Sequence, residues 1–357
     1  MKKENFWNDV IKNENKIKEI LNSEENKILV YHRDADGVCS AALILKYFPN
    51  FKSIVREGPI IDKDFYKKVI KEKPKFILFV DIPIDQSWKK LKEIKNKTNA
   101  EILIIDHHIP EKNLNPEGII HINPLFYEKI YLPASFLVYE IVKKFEKEIR
   151  RFVWIAGIGI IGDHCITPEC LEECKKFYPN LLNKKPLNSK LAKGAELISS
   201  AISLKGETGA EKALEILIDS QEFEDFFNQP KLRKWKEIIN KEIKKILMDF
   251  EIKKETYPEI NLFIYLFKSK FNLSAVISSI LADKYPDKII LIAKELNGDK
   301  KVSIRYSKGK LNMGEIVKQA VKGIGSGGGH PQAAGALIKD WKKFKENLIK
   351  IISSSLQ

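Results

Sequence analysis

Three short, β-branched apolar runs, at residues 27–31, 75–80 and 101–105, each end directly in acidic or histidine residues. Helix-like stretches at 38–47, 64–72 and 86–97 lie between and after them. Apolar runs of this length, bounded by charged or turn residues, read as strands buried on both faces. Their alternation with helices predicts a doubly wound parallel sheet, an α/β architecture in which ligands gather at the carboxyl ends of the strands. The first run ends in His32-Arg33-Asp34-Ala35-Asp36-Gly37, the second in Asp81, the third in Asp106-His107-His108. A further apolar run, 155–162, ends in Asp163-His164.

Taken singly, each of these signals has a plain structural reading. Asp34-x-Asp36-Gly37 could be a turn with a helix N-cap, and Asp81 before Ile82-Pro83 could end a strand. Together they place carboxylates and imidazoles along one sheet edge, where they repel and lose hydration unless cations neutralise them. A mixed His/Asp donor set suits Mn²⁺, Fe²⁺ or Zn²⁺ more than Ca²⁺. His164 reads as a structural histidine rather than a further ligand. Cys39 and Ser40 read as the first turn of a helix rather than as nucleophiles.

The second half has another texture. Residues 168–250 read as mostly helical, with 231–249 as one long lysine-rich amphipathic helix. Strand-like runs return at 262–267, 289–293 and 302–306, before a glycine-rich stretch at 323–335 and a C-terminal helix. This gives 1–228 as a domain carrying the acidic and histidine residues, with a helical insertion, 229–256 as a connector helix, and 257–357 as a smaller α/β domain. Five of the seven residues from 323 to 329 are glycine, which permits close backbone approach and amide groups turned toward an anion.

The four motifs in this order, followed by Gly325-Ser326-Gly327-Gly328-Gly329-His330 and Ala333-Ala334-Gly335, resemble the DHH phosphoesterases with a C-terminal DHHA1 domain. The resemblance covers residues 27–165 and 260–340. It implies one metal held by His32, Asp34 and Asp81 and a second held by Asp36, Asp81, His107 and Asp163, with Asp81 bridging. It also implies Asp106 orienting an imidazole and His108 facing the scissile phosphate. Arg305, Gly327, Gly328, Gly329 and His330 would clamp substrate phosphates across a cleft. The activity expected is two-metal hydrolysis of nucleic acid without a covalent intermediate, with Mn²⁺ as the preferred ion and Mg²⁺ as the alternative.

Four activities stand within that resemblance. The first is a RecJ-like exonuclease on single-stranded DNA or RNA. The others are a nanoRNase-like hydrolase of short oligonucleotides, a cyclic-dinucleotide phosphodiesterase and a family II pyrophosphatase. A non-catalytic replication scaffold is the alternative from another class, and the helical insertion is the surface expected to meet a replication-complex partner. Polarity, substrate length and oligomeric state stay open, a homodimer among the options.

Composition adds three limits. The net charge of +14 agrees with an anionic partner, but it is carried almost wholly by lysine. The six arginines, which include Arg33 and Arg305, are therefore the more telling cations. Four cysteines are too few for a disulfide framework; Cys165, Cys170 and Cys174 lack a C-x2-C pair and read as plain thiols, with a structural zinc site as the alternative. The first 21 residues carry no apolar signal core, and the run 152–162 falls short of the ~18 residues a spanning helix needs. A cytoplasmic protein with no membrane contact is the expectation.

Overall fold

The structure is a computed structural model and describes residues 2–356 apart from 128–129, 297 and 309–310. Contacts divide the chain into two units, 1–236 and 237–357. In the first, β1 (Lys27–His32), β2 (Phe51–Arg56), β3 (Phe76–Val80), β4 (Glu101–Ile105) and β5 (Ile120–Ile122) form an all-parallel sheet in the order β2-β1-β3-β4-β5. Helices α1 (Lys2–Lys12) and α2 (Glu14–Asn22) precede it, and α3 (Ala35–Leu45), α4 (Lys63–Glu72) and α5 (Trp88–Thr98) connect its strands.

The alternation within each strand decides which layer it feeds. Leu29, Tyr31, Leu78, Val80, Leu103 and Ile105 face the larger core, whereas Ile28, Val30, Ile77, Phe79, Ile102 and Ile104 face a smaller one against α4 and α5. Both faces are thus covered, which is why the strands read as unbroken apolar runs rather than alternating ones. The larger core is completed by α6 (Ala134–Val142), α7 (Val153–Gly162), α8 (Pro168–Phe177), α9 (Lys190–Lys205), α10 (Glu207–Asp219) and α11 (Phe223–Phe227). The region read as a helical insertion is therefore part of the first unit's own core.

Helix α7 is the hub of that layer. It is apolar all round, as expected of a helix buried on every side, and its glycines permit close approach. A Cβ on Gly157 would meet the Cys174 Sγ at 2.8 Å, and one on Gly162 would meet the Ala35 Cβ at 2.7 Å. Trp154 is fully buried, with its ring edge-on to Phe223 at 5.9 Å and tilted against Phe226 at 6.3 Å.

In the second unit, β6 (Glu255–Tyr257), β7 (Leu262–Phe267), β8 (Ile289–Leu296), β9 (Asp299–Arg305), β10 (Gly325–His330) and β11 (Ala333–Ile338) form a mixed sheet. Its order is β10-β11-β9-β8-β7-β6. Among the described residues, only the β7–β8 pair of this sheet is parallel. Helices α13 (Ser274–Lys284), α14 (Met313–Ala320) and α15 (Trp341–Leu356) complete this unit, and α12 (Pro230–Lys253) runs through the boundary between the units. Among the described residues no helix is long and apolar enough to cross a membrane.

The glycine-rich stretch forms the edge strand β10, the turn after it and the start of β11. One local expectation is corrected. His164 is exposed and turns the chain in left-handed backbone after α7 (φ 57°), rather than being packed as a structural histidine. Replacing Trp154 by Ala should lower the stability of the N-terminal unit by about 3–5 kcal/mol, the usual cost of emptying a buried indole site. Urea denaturation followed by circular dichroism checks this; a loss below about 1 kcal/mol would contradict the role of α7.

Candidate metal centre

Every acidic or histidine residue singled out in the first unit lies at the carboxyl edge of the parallel sheet or at the end of α7. Asp34 ends the turn after β1 and caps α3, its carboxylate accepting from the Gly37 amide at 2.9 Å. Gly37 is required by close approach, since a Cβ there would stand 2.4 Å from the His32 carbonyl oxygen. Asp36 lies in the first turn of α3, fully buried. It accepts from the Ala134 amide at 2.7 Å, from the Ser135 amide at 3.1 Å and from the Ser135 hydroxyl. These donors belong to the start of α6, where free amides and the helix dipole favour an anion.

Asp81 follows β3 in left-handed backbone (φ 61°), with its amide bonded to the Ile105 carbonyl at 3.0 Å. That conformation costs a non-glycine residue roughly 1 kcal/mol or more and persists only where the surroundings enforce it. Asp106, His107 and His108 follow β4, and Asp163 caps the C-terminal end of α7.

The donor atoms converge in sets. His32 Nδ1 lies 2.9 Å from Asp34 Oδ2 and 3.4 Å from Asp81 Oδ2. His107 Nε2 lies 3.0 Å from Asp81 Oδ1 and 4.0 Å from Asp36 Oδ2, while its Nδ1 is 3.7 Å from Asp163 Oδ2. His32-Asp34-Asp81 and Asp36-His107-Asp163 each bring one donor atom per residue within 4.8 Å of the others, and Asp81 also joins Asp106, His107 and His108 in a third such set. Several of these atoms are buried without a hydrogen-bond partner, among them His32 Nδ1, Asp81 Oδ2 and His107 Nδ1. Buried polar atoms without partners are rare, and here they face one another. The His32 Nε2–H donates to the Glu57 carbonyl at 3.1 Å, which leaves Nδ1 as the lone-pair nitrogen. Residues of this type and arrangement fit divalent cations.

Charge crowding shows in the titration of the carboxyls. Burial, reinforced by the charge of Asp36, pushes Asp163 up to about 8. Burial, then the charges of Asp34 and Asp36, push Asp81 well above its ordinary value. Burial also raises Asp36, against the pull of His107. Burial works to lower His32 and His108, but Asp34 and Asp81 around the first, and Asp106 beside the second, raise both.

The supporting residues include several that the sequence reading passed over. Tyr131 donates its hydroxyl to Asp163, and its ring sits edge-on to His107 at 5.1 Å. Ser135 holds Asp36. A proline just ahead of the Ala134-Ser135 pair was the available signal for a helix start there. Asp106 Oδ1 accepts from His108 Nδ1–H at 2.8 Å, leaving the half-buried His108 with its other nitrogen free. Arg33 pairs with Glu57 at 2.8 Å. Cys165, Cys170 and Cys174 are buried, with the first two sulfurs 3.9 Å apart. Among the described residues no metal-holding set includes a cysteine.

The second unit places the other expected site residues in one sheet, with Arg305, Gly328 and His330 on one face and Gly327 and Gly329 on the other. Register puts His330 opposite Ala333 and Ala333 opposite Arg305, and sets Gly328 opposite Gly335 two residues along the same face. The residue between Arg305 and His330 in this row, Ala333, is thus small. Arg305 is half-buried and its Nε donates to the Ser279 hydroxyl at 3.4 Å. The glycines divide by cause. A Cβ at Gly327 would meet Ala336 at 2.6 Å and one at Gly329 would meet the Ala333 carbonyl at 2.4 Å, whereas one at Gly328 would meet nothing within 4 Å. Gly327 and Gly329 are accounted for by strand packing; Gly328 alone opens onto free space.

Comparison with known proteins agrees with both units. Residues 27–162 match the N-terminal domain of the DHH family and residues 262–357 match the DHHA1 domain. No curated protein matches the chain by sequence. A solved DHH-domain protein described as a member of the s1p family of ribosomal proteins is 20% identical with a TM-score of 0.78, the match covering 98% of this chain and 91% of that one. RecJ from Thermus thermophilus, solved with Mn²⁺, is 16% identical with a TM-score of 0.75, covering 97% of this chain and 55% of that one. This chain spans about half the length of the Thermus protein. CDC45 from Entamoeba histolytica is 13% identical with a TM-score of 0.58, covering 98% of both. These likenesses are of fold.

The raised carboxyls give the metal-free protein a definite pH response. Between about pH 4, the ordinary aspartate value, and about 8, where Asp163 ionises, the folded state holds more protons than the unfolded one. Stability should therefore fall as pH rises through that window. The raised histidines act in the same direction, their contribution being full below about 6.5 and lost above. The Tm of chelator-treated protein should drop from pH 5 to 8.5, and Asp163→Asn should flatten part of the drop. A Tm that climbs over this range would contradict the crowding.

Proposed function

We propose that this chain, a DHH-family protein carrying a DHHA1 domain, is a metal-dependent phosphodiesterase that removes nucleotides from an end of single-stranded nucleic acid. The observation that carries the reading is the convergence of two partly buried donor sets at one sheet edge, with unpartnered lone pairs facing each other. His32, Asp34 and Asp81 would hold one divalent ion; Asp36, Asp81, His107 and Asp163 would hold the other, with Asp81 common to both. Two such ions, Mn²⁺ in preference to Mg²⁺, supply an activated water and neutralise charge on the phosphoryl group.

The chain's own residues do the rest. Asp106 fixes the tautomer and direction of His108, whose free nitrogen then meets the scissile phosphate as a charged donor. The α6 amides keep Asp36 in place, and Tyr131 does the same for Asp163. In the DHHA1 domain, Arg305 and His330 would grip substrate phosphates, with the backbone at Gly328 approached from its open side. A non-catalytic scaffold would have no need of this complete donor set.

The likeness to RecJ supports an exonuclease acting on longer strands; cleavage confined to fragments of about two to five nucleotides would support the nanoRNase-like alternative. End-labelled DNA and RNA oligomers of graded length, incubated with the protein and Mn²⁺, separate the two by their product ladders. Full activity after chelation would sink the metal mechanism.

Two substitutions divide the labour. Asp81→Ala should abolish turnover and leave the fold intact; a rate still above about a tenth of wild type, a barrier change under ~1.4 kcal/mol, would rule out a shared ligand. Arg305→Ala should leave bound Mn²⁺ unchanged, raise KM on long strands and lower kcat on a trinucleotide, where few other contacts set the phosphate. Loss of metal, or wild-type kinetics on both substrates, would refute the clamp.

A further inference from the structure

Within the second unit, α12 and β7 leave a groove of about 740 Å³ between them, lined on one side by the helix from Lys241 to Lys253 and on the other by Tyr265, Leu266 and Phe267. Its first notable feature is an unfinished strand edge. β6 pairs with β7 only from Leu262 to Ile264, although β7 runs to Phe267. Among the described residues, the last three of β7 have a strand partner on the β8 side alone. An open edge of this kind offers its amides and carbonyls to another strand.

The second feature is chemical. Tyr265 and Phe267 are buried, so the accessible apolar surface is aliphatic: Met248 is 63% exposed, Ile252 82% and Leu266 38%. The charge around it is mixed, with lysines outnumbering the carboxylates of Glu242 and Asp249. Lys253 is paired with Asp249 and Lys268 with Glu295, while Asp249 and Glu242 also accept from Tyr265 and Ser269. Exposed Lys241, Lys244 and Lys245 make no side-chain hydrogen bond or ion pair among the described residues, so the uncompensated charge is positive.

We infer that this groove takes an extended acidic and apolar segment of a partner protein, added as a strand beside Tyr265–Phe267 with its carboxylates toward the α12 lysines. A second copy of this chain would bring the same lysines against each other in a two-fold contact. A single nucleic-acid strand would satisfy the lysines but would find aliphatic side chains instead of exposed rings for its bases, and would leave the backbone edge unpaired.

The test uses the full chain and a fluorescein-labelled peptide alternating Glu with Val. Fluorescence anisotropy should show saturable binding, weakened roughly tenfold, about 1.4 kcal/mol, by Lys244→Glu with Lys245→Glu. Met248→Asp should weaken it as well. Hydrogen exchange should slow at the amides of residues 265–267 when the peptide is bound. Neither variant should change metal-dependent hydrolysis. Failure to bind, equal binding of a Lys–Val peptide, unchanged affinity in the double variant, or exchange that stays fast at 265–267 would overturn the proposal. Displacement of the peptide by oligothymidine with the same exchange protection would overturn it in favour of nucleic acid.

Discussion

The fold depends on how it holds several like charges close together. Asp36 and Asp81 are buried and Asp163 lies partly buried beside them, in surroundings where repulsion is poorly screened. A parallel sheet suits this arrangement because its carboxyl ends deliver successive loops to one edge, each anchored by a buried strand. The opposition is met piecewise. Asp34 is held by the start of α3, Asp36 by the start of α6, and Asp81 by a backbone conformation that only a fully enforced site retains. What remains unpaired, after these bonds are counted, is a set of lone pairs directed at common space.

Much of this was legible in the residues. The strands with unbroken apolar runs, β1, β3 and β4, declare themselves by composition and by the abrupt change to acidic residues at their ends. β2 and β5 do not: β2 carries lysine and serine among its apolar residues because it lies at the sheet's edge, and β5 has three residues, too few to show a period. The convergence of the site residues was legible because carboxylates and imidazoles at successive strand ends stand out by type. Their supports were less so: Tyr131 acts through a contact between segments with no sequence pattern, and Ser135 is marked only by the proline ahead of α6.

The glycine stretch shows a different limit. Five glycines in a short span signal close backbone approach, and the structure agrees, but composition cannot say what approaches. For Gly327 and Gly329 it is the neighbouring strand; Gly325 likewise faces the Leu337 carbonyl oxygen. Gly323 is required by its left-handed backbone (φ 76°), which leaves Gly328 looking outward. A motif that reads as one functional unit is therefore mostly a requirement of strand packing, with a single position left for something outside the fold.

Asp163 differs from the other cluster members in being carried by a helix. α7 is locked by its glycines against α3, α8 and α9, and Trp154 ties it to α11. On the proposed metal reading, an ion held through Asp163 would gain affinity only when that helical layer is in register, and the layer would be stabilised by the same amount when the ion is present. Ligand occupancy at the sheet edge and order in the helices behind it would then form one linked equilibrium. A substitution deep among α9 or α11 can then present itself as a change in metal affinity, without touching any atom that meets the ion.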